Sequence, residues 1–285
     1  MKGNHILNST KQYSGNFHVI DVDGTNDRIA LGATSDLKFS QANIDSHGLS
    51  ISVWYYPWNS TVGSGQIPLF TIGDGAGLTN NYRGISVGID NNGNMYMHIF
   101  GNNSSGGAGA GSNNRRTRKT STTPVPSKAW SHLVFSFPDS DHANWKMFVN
   151  GANQALATAS GTAATYPVYG LTSHIGFNGR TSAAAYVSNG FIGDVAIWKN
   201  EITQAAANSM YLKVTSTPAN SGLDLLMPVG SYTNTMAQDL VGWWRMGDDE
   251  GQSLFSTIPD EIEGTNDGTM SNMIAGDIVT TPLWG

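Results

Sequence analysis

LSISVWYYPW, residues 49–58, decides the fold class. Leu49, Ile51, Val53 and Tyr55 fall on one face of an extended chain, while Trp54 and Tyr56 share the other with Ser50 and Ser52. Both faces are partly apolar, as expected of a strand inside a stack of layers. The same two-residue rhythm recurs outward in MYMHIF (95–100), WSHLVFSF (130–137), WKMFVNG (145–151) and FIGDVAIW (191–198). DNNGN, PDSDHAN and similar Gly/Asn/Asp/Pro turns separate these runs. Many short strands at fairly regular spacing predict an all-β chain, a two-sheet antiparallel β-sandwich of the jelly-roll kind. One short helix is expected near 203–212, where Thr203 caps QAAANSMYL and Ala206, Ala207 and Met210 face inward.

The chain has 285 residues, enough for a large core, and all-β domains of this size commonly stay undivided. Charged residues make up 13%, against about 25% in an average globular chain. Glycine, Asn, Ser and Thr supply polarity without charge, a surface suited to extracellular or particle-exposed β-proteins. With no cysteine, disulfides, thiolate nucleophiles and Cys-zinc sites are excluded. The start lacks the apolar core of an export signal, and no window has the composition of a membrane-spanning helix, so membrane insertion is not expected. The net charge of -6 is unevenly held: residues 239–285 carry nine acids and one base, and the rest is slightly basic. Residues 1–16 read as a polar arm, 17–213 as the sandwich, 214–239 as a Pro/Gly/Ser/Thr linker, and 240–285 as an acidic C-terminal segment opening on the apolar strand LVGWWRMG.

The motifs of common hydrolases are missing. The seven histidines form no HxH or HExxH pattern, and His98 and His132 lie inside strands as structural residues. There is no GxSxG elbow. Asp260, Glu261 and Glu263 in PDEIEG are the nearest approach to paired carboxylates, but flanking Pro and Gly place them in a loop. Arg115, Arg116, Arg118 and Lys119 concentrate four of the fifteen bases, either in a solvated loop between strands or as a contact for an anion or acidic partner. No recognition helix accompanies them, so specific nucleic-acid binding is not expected. Trp58, Tyr82, Tyr169 and Tyr186, read as loop aromatics, are the candidates for stacking on sugar rings.

VDGTNDRIAL (22–31) resembles the opening of laminin-G-like, concanavalin A-like lectin domains, an FDG turn followed by Asp and a strand. GLSISVWYYP, VPSKAWSHLVFSF, WKMFVNGA, HIGFNG and GFIGDVAIWKNEITQAA look like later strands of that family in family order, so the resemblance covers about residues 17–212. It implies a jelly roll and leaves function open, since the superfamily includes lectins, glycan hydrolases, adhesion modules and virion proteins. It also implies calcium, with Asp23 and Asp27 flanking a Gly-containing turn as oxygen ligands. Asp194 is the third candidate, although the family's acid directly follows an Ile and here Gly193 intervenes. In many members a strand resembling LVGWWRMGDDEG and a turn resembling TNDGTM precede the FDG turn; here they come last. The segment therefore reads as a permuted strand, completing its own sandwich or a neighbouring subunit's, or else as a separate tail module. Trp243 and Trp244 read as core or interface residues on either account.

Together these features resemble phage virion proteins such as capsid-decorating fibres or tail-associated proteins. The expectation is a non-enzymatic structural or adhesion protein on the virion surface. Its expected partners are other virion proteins or copies of itself, and cell-surface glycans. The alternatives are a secreted or cell-surface carbohydrate-binding module, a glycan depolymerase fragment, and a lattice protein with no ligand.

Overall fold

β-branched and aromatic residues at alternate positions drive each apolar run into a sheet, because only a pleated surface buries them on a shared face. The computed structural model describes residues 17–32, 35–59, 66–73, 84–100, 115–120, 124–157, 161, 172–177, 187–216, 224–246, 256–262 and 266–281. Its first strands are β1 (Phe17–Asp23), β2 (Arg28–Leu31), β3 (Leu49–Pro57), β4 (Gln66–Gly73), β5 (Gly84–Asp90) and β6 (Met95–Phe100). Then come β7 (Arg115–Lys119), β8 (Ser131–Phe137), β9 (Lys146–Val149), β10 (Ala152–Asn153), β11 (Thr172–Ile175) and β12 (Asn189–Trp198). The last are β13 (Leu240–Trp244), β14 (Thr257–Ile258), β15 (Gly268–Ser271) and β16 (Ile278–Thr281).

These strands form two eight-stranded antiparallel sheets. The first runs β10-β9-β8-β3-β12-β1-β16, with β13 also paired to β12, and the second runs β14-β15-β2-β11-β4-β5-β6-β7. Between them lies one core, in which Ile51, Val53, Tyr55, Leu133, Phe135 and Ile197 of the first sheet meet Phe70, Ile72, Val87 and Met97 of the second. The all-β sandwich expected from the strand spacing is the observed architecture.

The first sheet is apolar on its outer face too. There Trp54, Val134, Ala196, Trp198 and Trp243 pack with Ala206, Ala207 and Met210 of α2 (Gln204–Ser216). Thr203 Oγ1 accepts the Ala206 amide at 3.3 Å and caps that helix. Gly151, with φ +76, lets the β9–β10 hairpin approach α2 so closely that an added Cβ would lie 2.5 Å from the Asn208 Cα.

Two further helices depart from the single helix expected. The first, α1 (Gln41–His47), is capped by Ser40 and buries only Ile44, too little for a helical period to register. The second, α3 (Asn234–Gln238), lies within the 214–239 stretch read as linker, where Leu225 and Tyr232 are also buried. The Tyr232 hydroxyl donates to the Leu225 carbonyl at 2.8 Å and accepts Trp198 Nε1 at 3.1 Å, so this stretch packs on the outer face of the sheet.

The C-terminal strands enter both sheets of the same sandwich: β13 pairs with β12, β15 with β2, and β16 with β1. Trp244 enters the core between the sheets, and Trp243 the cluster on the outer face.

Candidate functional site

Helix α2 covers only part of the outer face of the first sheet. Tyr211 on α2 stacks on Trp54 at 6.1 Å, and Trp54 stacks on His132 at 4.8 Å. One register step further along, the cross-strand row reads Asp21 on β1, Phe191 on β12 and Tyr56 on β3, with Trp130 just before β8. Residues paired directly across antiparallel strands project from the same face. Val19 and Trp54 lie in the outer cluster and Ile20, Ile192 and Tyr55 in the inner core, so Asp21, Phe191 and Tyr56 point outward.

Ring centroids lie 5.6 Å apart for Tyr56–Phe191, 5.7 Å for Tyr56–Trp130 and 6.4 Å for Trp130–Phe191, and Trp58 meets Phe191 edge-on at 5.7 Å. All four rings are partly exposed. They form a continuous, partly exposed aromatic platform beyond the helix. Local backbone features hold it in place. Gly193, in the β-bulge of β12, brings the sheet under Trp130, because a Cβ there would lie 3.1 Å from Trp54 Cβ and 3.7 Å from the Trp130 ring. The Lys128 amide donates to the Pro57 carbonyl at 2.8 Å and ties the turn before Trp130 to the end of β3.

The charged surroundings are mainly acidic. Burial, then the nearby Asp277, Asp27 and Asp23 carboxylates, push the Asp21 carboxyl up to about 6. Asp27 is raised by burial, and also by Asp23 and Asp277, although its bond to the Asp23 amide acts against the rise. Asp194 lies 3.9 Å from Arg245, whose guanidinium sits 5.2 Å over the Trp243 ring.

Asp23, Asp27 and Asp194 do not fit a calcium ion together. Asp23 Oδ1 accepts the Thr25 amide at 2.6 Å and Asp27 Oδ2 accepts the Asp23 amide at 3.0 Å, so both carboxylates close their own turn. Among the described residues no three acids or histidines converge well enough to hold a metal.

The basic run is a strand, β7, rather than a loop. Arg116 and Arg118 pair with Ile99 and Met97, residues of the inner core, and reach across the edge of the sandwich. Arg116 donates to the Ser140 carbonyl, and Arg118 to the Ala157 and Ala143 carbonyls at 2.7 and 3.2 Å. Lys119 pairs with buried Asp90 at 3.0 Å. Burial alone would raise Asp90, but the Lys119 bond and the Asn92 and Asn94 amides outweigh it and lower its pKa. These three bases therefore serve the fold. The side chain of Arg115 lies outside the described residues, as do Tyr82, Tyr169, Tyr186 and Glu263.

Two arrangements resemble catalytic groups. Ser52 Oγ and His132 Nε2 are 2.8 Å apart, but both residues are buried and burial pushes the imidazole down to about 3, leaving it a poor base. Asp260, buried at 4% exposure, accepts the Trp243 and Ile262 amides and Asn266 Nδ2, so its oxygens hold β13 in place.

Of the aromatics read as sugar-stacking candidates, Trp58 belongs to the platform. Tyr56, Trp130 and Phe191 were read only as strand residues, because alternation assigns a residue to a face without showing whether that face is covered.

Residues 31–208 match the family described as the concanavalin A-like lectin/glucanases superfamily. Among solved structures, a candidate carbohydrate-binding protein of Bacteroides ovatus superposes with a TM-score of 0.54 at 13% identity, over 94% of this chain and 60% of that one. The chain thus spans 60% of the length of that protein. The heptameric SAP-like pentraxin of Limulus polyphemus aligns at TM-score 0.40 and 14% identity, over 67% of this chain and 83% of that one. For the CBM40 of the Ruminococcus gnavus IT-sialidase the TM-score is 0.44 and the identity 13%, over 66% and 94%. No curated protein matches the chain in sequence. With more than half of its length matched by the family model and two antiparallel sheets stacked as a sandwich, the chain belongs to the concanavalin A-like lectin/glucanases superfamily.

Proposed function

We propose that this chain is a non-enzymatic glycan-binding module, and that Tyr56, Trp58, Trp130 and Phe191 form its sugar platform. The half-exposed aromatic row carries this reading. Aromatic faces present an apolar surface to the C–H face of a pyranose, and the Tyr and Trp polar tips meet its hydroxyls. The Ser52–His132 pair is buried and weakly basic, and Asp260 is engaged by backbone amides, which supports a binding rather than a catalytic role.

The setting we propose is the surface of a bacteriophage virion, as a capsid-decorating, fibre or tail-associated protein. There many copies would turn weak sites into useful avidity for cell-surface glycans. The low charge and lack of cysteine support it. A second reading, one module of a longer secreted or cell-surface protein, is favoured by the greater length of the Bacteroides ovatus protein.

A glycan and lipopolysaccharide array, run with calcium and with chelator alongside light scattering, tests both readings. We expect calcium-independent binding that falls at least tenfold in the double variant Tyr56→Ala/Trp130→Ala with the fold retained. Binding untouched by that variant overturns the platform assignment. A stable oligomer favours the virion setting, and a binding monomer favours the module.

A further inference from the structure

We infer that the platform takes uncharged or amine-bearing pyranoses and rejects acidic ones, such as sialylated or uronate-bearing glycans. This rests on reading the aromatic row as a sugar site, and it names the class of sugar. The observation behind it is the uneven charge around the row. Asp21 lies directly beside Phe191 in the register, on the same outward face. Asp277 directly precedes Ile278, which pairs with Ile20, and Asp23 and Asp27 are joined at the end of β1 by the 3.0 Å bond between the Asp23 amide and Asp27 Oδ2, so these acids lie around the Asp21 end of the row.

Among the described residues few positive charges oppose them. Asp194 and Arg245 lie 3.9 Å apart and nearly cancel. His132 is buried under Trp54 and neutral. Lys128 is exposed in the turn before Trp130, so its charge acts most on a sugar at the Trp130 end and less on one over Phe191, beside Asp21. The charges of the described residues around Phe191 are therefore mainly negative. At physiological salt the field of exposed charges decays over about 8 Å, so the charges nearest a stacked ring dominate. A carboxylate on a ring stacked at Phe191 is repelled, whereas a hydroxyl or ammonium there meets acceptors.

The test uses the full chain and matched immobilised pairs: lactose against sialyllactose, dextran against dextran sulfate, and neutral chito-oligosaccharides against their deacetylated, amine-bearing form. The expected result is at least tenfold weaker binding of the acidic member of each pair, with the amine-bearing form bound as well as the neutral one or better. In the double variant Asp21→Asn/Asp277→Asn, the ratio of neutral to acidic binding should shrink at least threefold. Binding that needs Trp130 but prefers acidic sugars, or discrimination unmoved by the double variant, overturns the charge rule and leaves the platform standing. An array silent for every sugar, or binding indifferent to Tyr56→Ala/Trp130→Ala, overturns the platform reading and the charge rule with it.

Discussion

Asp21 and His132 respond to pH in opposite directions. The Asp21 carboxyl titrates near 6 in the fold against 3.8 ordinarily, so its ionised form is penalised when folded. That penalty is complete above pH 6, fades between 6 and 3.8, and is gone below. Asp21→Asn should therefore stabilise the protein at pH 7, by about 1 kcal/mol after solvent screening of a partly exposed group, and lose this advantage below pH 4. Urea unfolding of both proteins at pH 7, 5 and 4 measures it. His132 has the reverse sign: its folded value is pushed down to about 3 from 6.5, so stability is intact above 6.5 and lost as pH falls and the unfolded chain takes up a proton. His174, pushed down to about 4 by burial and then by Arg28, adds to the loss. His132→Gln should flatten the acid limb by about 1.4 kcal/mol per pH unit between 6.5 and 4, read from the same unfolding curves. Both histidines are visible in the sequence; their burial is not.

At the scale of elements, the strands and α2 were legible and the outer packing was not. Leu49, Ile51, Val53 and Tyr55 face the inner core and Trp54 the outer one, as their alternation indicates. Thr203, Ala206 and Met210 likewise set the start and buried face of α2. Arg116 and Arg118 misled because their charge looks like a solvated loop, whereas their stems cross the sandwich edge and their heads bond carbonyls. The platform escaped notice for a related reason: Tyr56 and Trp54 have the same spacing signature, and the packing of Tyr211 of α2 on Trp54 is a tertiary contact. The acidic C-terminal run also hid a structural carboxylate. Asp260→Ala removes the acceptor of the buried Trp243 amide, and with it bonds from the Ile262 amide and Asn266 Nδ2, and should cost about 3 kcal/mol, while Asp260→Asn, which keeps one oxygen, should cost less. Thermal melts of the two variants distinguish these outcomes.

For the molecule as a whole, β13, β15 and β16 lie beside β12, β2 and β1 in the two sheets. Deleting 240–285 exposes those strand edges and removes Trp243 and Trp244 from their clusters. The truncated chain should lose its cooperative melting transition, whereas an unchanged midpoint would mean that the body folds without the segment. By itself the sequence determined the fold class, the faces of the long strands, the family resemblance and the absence of thiol chemistry, because period-two burial and composition are local properties of the chain. The tertiary structure alone decided where the last strands insert, that α2 stacks on Trp54 while the Tyr56 row stays partly exposed, and that Asp277 comes beside Asp21. These depend on contacts between residues more than 240 positions apart, such as Ile29 with Met270 or Ile20 with Ile278, which no local pattern encodes.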